Sequence, residues 1–150
     1  MAYAFTSKPD QIYTINDWPG ARGRTSPKCP TLVKYEGSKD FKWGFELDRT
    51  TNERIEGIKL LLDPDQPLPL YVPAINTEAE LKKLGKPAMD VASDYISAIF
   101  QHALAKIELK YPKSYLDMLD KQYVLSVPAV WSDRAKDATL RVSFAIFCFW

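Results

Sequence analysis

Few residues in this sequence combine a reactive side chain with a neighbour able to use it. Gly20-Ala21-Arg22-Gly23-Arg24-Thr25 has the glycines and cations of an anion-holding loop, because glycine lets backbone amides turn toward a ligand and arginine supplies charge. It lacks the G-K-[ST] ending and a helix directly behind it, so it reads as a turn. The single histidine, His102, falls mid-helix beside Gln101 with no carboxylate pair near it in sequence, which makes no case for a general base or a metal ligand. Ser126 and Ser132 have no histidine base within sequence-visible reach, and no hydrolase follows from them. Cys29 and Cys148 lie far apart without a C-x-x-C partner or a metal-ligand neighbour, and read as free thiols in a reducing compartment. What remains is the joint in KQYVLSVPAVWSDRAKDATL, residues 121–140, where an apolar run stops on Pro128 and a helical pattern restarts at Ser132.

That joint needs elements to hold it. The run Tyr123 to Val127 carries one small polar residue, Ser126, which predicts a strand buried on both faces, as in a sheet covered by helices. Pro128 ends it, since proline cannot extend a central ladder. Ser132 then offers an N-cap oxygen, Asp133 puts negative charge in the first turn, and Ala135, Ala138 and Val142 recur at helical spacing. In open α/β folds such elbows lie at the carboxyl ends of strands, where ligands bind, although many are only connections.

Upstream, Ala2 to Thr6 and Gln11 to Ile15 read as a hairpin turning at Lys8-Pro9-Asp10. A loop rich in proline and glycine from Asp17 to Pro30 releases into a strand at Thr31 to Tyr35, with another from Phe41 to Leu47. Residues 53–62 place Ile55, Ile58, Leu61 and Leu62 at helical spacing, with Gly57 weakening the pattern. Pro64, Pro67, Pro69 and Pro73 predict an extended connector whose P-x-x-P spacing also suits a proline-reading partner. The best helix runs from about Ala88 to Lys110, with Asp90 as cap, a broad stripe including Val91, Tyr95, Ile99, Ala103 and Ile107, and Pro112 as the stop. A shorter helical stretch follows at Tyr115 to Asp120.

Bulk properties bound the function. At 150 residues and 46% hydrophobic, the chain has the size of one domain with a real core. A net charge of +1 excludes a general electrostatic pull toward nucleic acid or an anionic membrane. Its longest apolar run falls short of the roughly 20 residues that a membrane helix needs, and its first residues lack a basic flank with an apolar core. The expectation is a soluble, cytoplasmic protein.

Four stretches together carry a resemblance. YVLSVPAVWSDRAKDAT, with its V-P-A strand end, Asp-led cap and A-T pair, resembles a segment of the seventy-kilodalton heat-shock protein family, and more closely the divergent fungal members of that actin-like ATPase superfamily. NDWPGARGRTSPKCPTLVKY is similar to the family's N-D-x-G…R-T-x-P loop and strand, KWGFEL to its next glycine-containing strand, and DVASDYISAIFQHALAKIE to the long helix before V-P-A. The resemblance covers roughly residues 2 to 141. It implies an α/β fold, a partial actin-like ATPase lobe of ribonuclease H-like type with a mixed β-sheet and flanking helices.

The resemblance further implies ATP and Mg as family cofactors, protein clients or co-chaperones as partners, and an interlobe relay formed by Pro128 with Lys136, which stands where the family has arginine. Lysine keeps the charge and loses the planar fork. The alternative reading of that pair is a strand stop and a solvated helix lysine. The family grips ATP with a D-x-G-T-T loop on its opening hairpin and a second D-x-G-G-G-T loop, and the 150 residues contain neither. A lysine that the family sets near the γ-phosphate falls on Asp48, with Arg49 beside it. Residues 1–141 are therefore expected to be a partial nucleotide-binding domain that neither binds ATP tightly nor hydrolyses it, with a non-catalytic interaction module as the alternative. Residues 142–150, VSFAIFCFW, a nearly unbroken apolar run with no polar face, are expected to be an aberrant apolar tail that departs from the family helix, as a read-through or shifted frame produces, and a liability for aggregation.

Overall fold

The computed structural model describes residues 1–37, 40–48, 50–63, 74–129 and 131–147, and the side chains of these except 74–76 and 143–147. Strands β1 (Ala2–Phe5) and β2 (Lys8–Thr14) form an antiparallel hairpin with Ala2 opposite Thr14 and Tyr3 opposite Tyr13. The turn is made by Thr6 and Ser7, and Lys8-Pro9-Asp10, expected to be the turn, lies inside β2. Pro9 is tolerated there because an edge strand need not donate every amide.

A second sheet has the order β4-β3-β5 and is antiparallel throughout, with β3 at Leu32–Tyr35, β4 at Phe41–Trp43 and β5 at Ile55–Glu56. The α/β class thus holds as two small antiparallel sheets and four helices, and the expected mixed sheet is not found among the described residues. Parallel neighbours need a crossover of about a dozen residues or more, usually a helix. The connections that join these paired strands contain no such helix.

Two glycines shorten what periodicity alone extends. Gly44, at φ +61°, turns the chain out of β4 into a single 3-10 turn, Gly44–Glu46, instead of continuing the strand to Leu47. A Cβ there would lie 2.5 Å from Cys29 Sγ. Gly57, at φ +69°, divides residues 53–62 into β5 and a 3-10 turn, Ile58–Leu62, where one helix was expected. The apolar spacing still marked burial correctly, since Ile55, Ile58 and Leu62 all enter the core. β5 would be an open edge, but the buried Thr77 hydroxyl donates to the Glu56 carbonyl (2.7 Å) and accepts from its amide (3.3 Å). One side chain thereby satisfies both outward backbone groups.

Thr77 belongs to α1 (Ala74–Leu84), a helix that the sequence reading did not anticipate. Its end is a Schellman motif: Gly85, at φ +65°, donates to Lys82 O and Lys86 N–H donates to Leu81 O, both at 3.2 Å. Helix α2 (Ala88–Glu108) follows close to expectation, but Pro87 occupies the N-cap and Asp90 contributes only charge in the first turn. Its face of Val91, Ala92, Tyr95, Phe100 and Ala103 is buried. Helix α3 (Lys113–Asp117) is short, and α4 (Asp133–Phe147) closes the described chain, its backbone helical on both sides of residue 142.

The largest departure lies at Tyr123 to Val127. No strand forms there; the segment runs without a ladder, and Val124 is 96% exposed. A β-prone run becomes a strand only where a neighbour offers a matching edge, and among the described residues neither small sheet pairs with it. One core nevertheless unites the fold: Ile15, Trp18, Val33, Trp43, Ile55, Val91, Tyr95, Trp131 and Ala135 pack in a single cluster. The expected proline connector, residues 64–73, and the end of the apolar tail, residues 148–150, lie outside the described residues. Among the described residues no helix is long and apolar enough to cross a membrane.

Candidate functional site

The elbow before α4 is built as its residue types require. Pro128 carbonyl oxygen accepts from Trp131 N–H (3.2 Å), which closes a turn, and Trp131 is buried with Lys59 Nζ 5.4 Å from its ring centroid. Ser132 caps the helix as expected, its Oγ accepting from Ala135 N–H at 3.3 Å. What the sequence reading missed is the group that faces this cap. Asp63, 1% exposed, accepts from Ser132 Oγ–H (2.9 Å) and from Ser132 N–H (3.2 Å). The carboxylate comes from the end of the Ile58–Leu62 turn and sits where a helix N-terminus would hold an anionic ligand. A sequence signal did exist: an acid wedged between Leu61-Leu62 and Pro64 has no solvent-facing reason to be there.

The two relay residues both lie at this elbow. Lys136 Nζ pairs with Asp133 Oδ1 at 3.1 Å on its own helix, and Pro128 contributes its carbonyl to the turn. A pair at i, i+3 with the Asp133 side chain wholly exposed links no two elements.

The glycine-arginine loop is committed to its own fold. Ala21 N–H donates to Trp18 O (3.2 Å), Arg24 N–H to Ala21 O (3.0 Å) and Ser26 N–H to Asn16 O (2.7 Å). Trp18 Nε1–H adds a bond to Ser26 O at 2.8 Å. Gly20 adopts φ +75° against the Gly44–Glu46 turn, where a Cβ would come within 2.5 Å of Glu46 N and Phe45 O. The loop is therefore a turn, as expected, with its Ala21, Arg24 and Ser26 amides spent on its own backbone.

His102 also has a structural place. Its Nε2–H donates to the Asp17 carbonyl (2.7 Å), and its ring lies beside Trp18 and Trp43 with centroids 5.6 and 6.1 Å away. Lys106, one turn on, forms an ion pair with Asp17 whose hydrogen bond holds that carboxyl below the usual carboxylate range. Cys29 is half-buried, and burial pushes its thiol up, away from thiolate reactivity. Cys148 lies outside the described residues. Asp48 accepts from Thr50 N–H at 3.3 Å in an exposed turn, and Arg49 beside it is outside the described residues.

Two further charged clusters are internally paired. A cleft of about 240 Å³ lined by Asn52, Glu53, Arg54, Glu56 and Glu80 contains Arg54 bonded to Glu56 (3.0 Å) and Glu53 bonded to Lys83 (2.7 Å). On the opposite end of β3, Tyr35 OH donates to Asp94 (2.5 Å), which also takes Lys86 (2.7 Å). Burial and that carboxylate push the Tyr35 hydroxyl far up, so it is a tie between β3 and α2 and no acid or base at neutral pH. Among the described residues no three His, Cys, Asp or Glu side chains group to hold a metal. Among the described residues the Ala21, Arg24 and Ser26 amides are committed within the loop and the Ser132 amide already meets a carboxylate. Comparison with protein-family models, with curated proteins and with solved structures finds no match to this chain.

Proposed function

We propose that this chain is a non-catalytic piece of a heat-shock-type, actin-like ATPase lobe, and that it acts through contacts with other proteins without binding or hydrolysing ATP. The family reading is supported by the order of the four resembling segments, from the Asn16-Asp17 loop through Trp43-Gly44 and α2 to the Val127-Pro128-Ala129 elbow. The loss of nucleotide chemistry is supported by one observation above all. Asp63 occupies the anion-holding end of α4, fully buried and bonded to both Ser132 donors. A phosphate brought to this position would meet a fixed negative charge in a desolvated site.

Phosphoryl transfer depends on positioning and on neutralising charge, and the buried Asp63 carboxylate opposes the second at this elbow. In such a chain Pro128 and Lys136 serve the turn and the helix surface. Protein clients or co-chaperones of the family's kind are the partners that this reading retains. Calorimetric titration with ATP and Mg²⁺ tests it: no heat of binding is expected up to millimolar nucleotide, and binding in the micromolar range refutes it.

A further inference from the structure

Of the eleven exposed large hydrophobics among the described residues, six, Leu109, Tyr115, Met118, Tyr123, Val124 and Leu125, fall between the end of α2 and the elbow. Within this stretch Val124 to Val127 is uncharged, β-prone and free of ladder pairing among the described residues. Its ends are pinned: Tyr123 stacks edge-on against Phe100 of α2 with centroids 5.6 Å apart, and Trp131 is buried. Among the described residues no backbone group of Val124 to Val127 pairs with another, although Val127 packs partly against the core, and unpaired backbone is the property by which strands recruit a partner.

The same chain carries an edge of matching length. β2 is exposed at every residue but Tyr13, and Ile12 is 68% exposed. Ile15 N–H donates to Met1 O (3.0 Å), so Met1/Ile15 and Tyr3/Tyr13 are the hydrogen-bonded pairs of the hairpin. By alternation the N–H and C=O of Thr14 point away from β1, and beyond Tyr13 the pairing shifts register to set Phe5 opposite Lys8. Gln11 to Thr14 is uncharged, like Val124 to Val127.

We propose that Val124 to Val127 of one copy adds as an antiparallel strand to Gln11 to Thr14 of a second copy, and reciprocally, closing a two-fold dimer. The orientation follows from the flanking residues. Antiparallel pairing sets Val124 opposite Thr14 and Val127 opposite Gln11, so that Pro128 of one strand and Pro9 of the other stop the ladder at the same end. Parallel pairing would bring Lys121 against Lys8. A single four-residue ladder is short, but two-fold exchange doubles it and leaves no open strip to propagate a fibre. The dimer does not depend on whether the chain binds nucleotide.

Sedimentation velocity across micromolar concentrations with two proline variants, and oxidative cross-linking of two double-cysteine variants, test this. The parent chain is expected to show a concentration-dependent dimer. Val124→Pro and Ile12→Pro, each removing one ladder amide, are expected to weaken it at least about tenfold while far-ultraviolet circular dichroism stays that of the parent. Thr14→Cys combined with Val124→Cys is expected to cross-link between copies on oxidation, above the background of the native cysteines, and Gln11→Cys with Val124→Cys is not. The cysteine pairs decide the matter should a proline variant fail to fold. A chain monomeric at every concentration overturns the proposal, even if it captures a strand from another protein. So do a dimer indifferent to both prolines and preferential cross-linking of the Gln11 pair.

Discussion

Asp63→Ala is the substitution that most directly probes how the elbow is held. The carboxylate is 1% exposed, accepts two hydrogen bonds from Ser132, and has no ion-pair partner among the described residues. Hydrogen bonds to a charged acceptor contribute about 1.5–3 kcal/mol each, while burying the charge costs part of that back. Removing the side chain also strands the Ser132 amide and leaves a small void beside the core. The expected net loss is about 2–4 kcal/mol, a large share of the roughly 5–15 kcal/mol that holds a domain together. Asp63→Asn, nearly isosteric, can still accept from the Ser132 amide while its own amide donates to Oγ, and should cost only about 1 kcal/mol. Urea denaturation followed by tryptophan fluorescence reads the effect, because Trp131 adjoins Ser132 and is buried. A double-mutant cycle with Ser132→Ala should return a coupling of about 1–2 kcal/mol. A loss from Asp63→Ala below about 0.5 kcal/mol, the range of surface substitutions, would refute the reasoning, as would strict additivity with Ser132→Ala.

Two further outcomes follow from backbone and burial. Gly20→Ala should cost about 3 kcal/mol or more, because the new Cβ meets the Glu46 and Phe45 backbone at 2.5 Å, whereas Gly23→Ala, at φ +78° with nothing within 4 Å, should cost only the left-handed penalty of about 1–2 kcal/mol. Equal losses in denaturant midpoints would show that the contact with the Gly44–Glu46 turn is not tight. At high pH, Tyr35 has its folded value raised by burial and by Asp94, so its contribution to stability is complete below the unfolded value of about 10 and drains away as pH rises above it. Tyr35→Phe should therefore flatten the alkaline loss of stability by up to one released proton, and tyrosinate absorbance should show Tyr35 still protonated in folded protein above pH of about 11. Ionisation of Tyr35 at its ordinary value before unfolding would contradict this.

Legibility in the sequence followed how local each signal was. The broad stripe from Val91 to Ile107 can be satisfied only by a buried helix face, and α2 lies within two residues of expectation. The Ser132 cap was equally readable, since its oxygen reaches an amide three residues on. Helix α1 had a readable end in Gly85 and Pro87, but its pattern is weak beside the proline-rich stretch that precedes it. The stretch from Ile55 to Leu62 failed differently: its spacing announced burial, which a strand, a left-handed glycine and a 3-10 turn deliver as well as a helix does. The hairpin was anticipated but its turn was misplaced by two residues, because Pro9 signals a turn only when a strand edge is not available to accommodate it.

By itself the sequence determined the presence of one core, the extent of α2, the capped start of α4 and the want of any phosphate-gripping motif within these 150 residues, because each rests on residue type and short spacing. Only the tertiary structure decided that Asp63 meets Ser132 across 69 positions, that Thr77 seals β5, and that Tyr123 to Val127 stands outside both sheets. Those are long-range pairings. Strand ladders and buried polar contacts depend on which surfaces arrive opposite one another, and no local pattern carries that information.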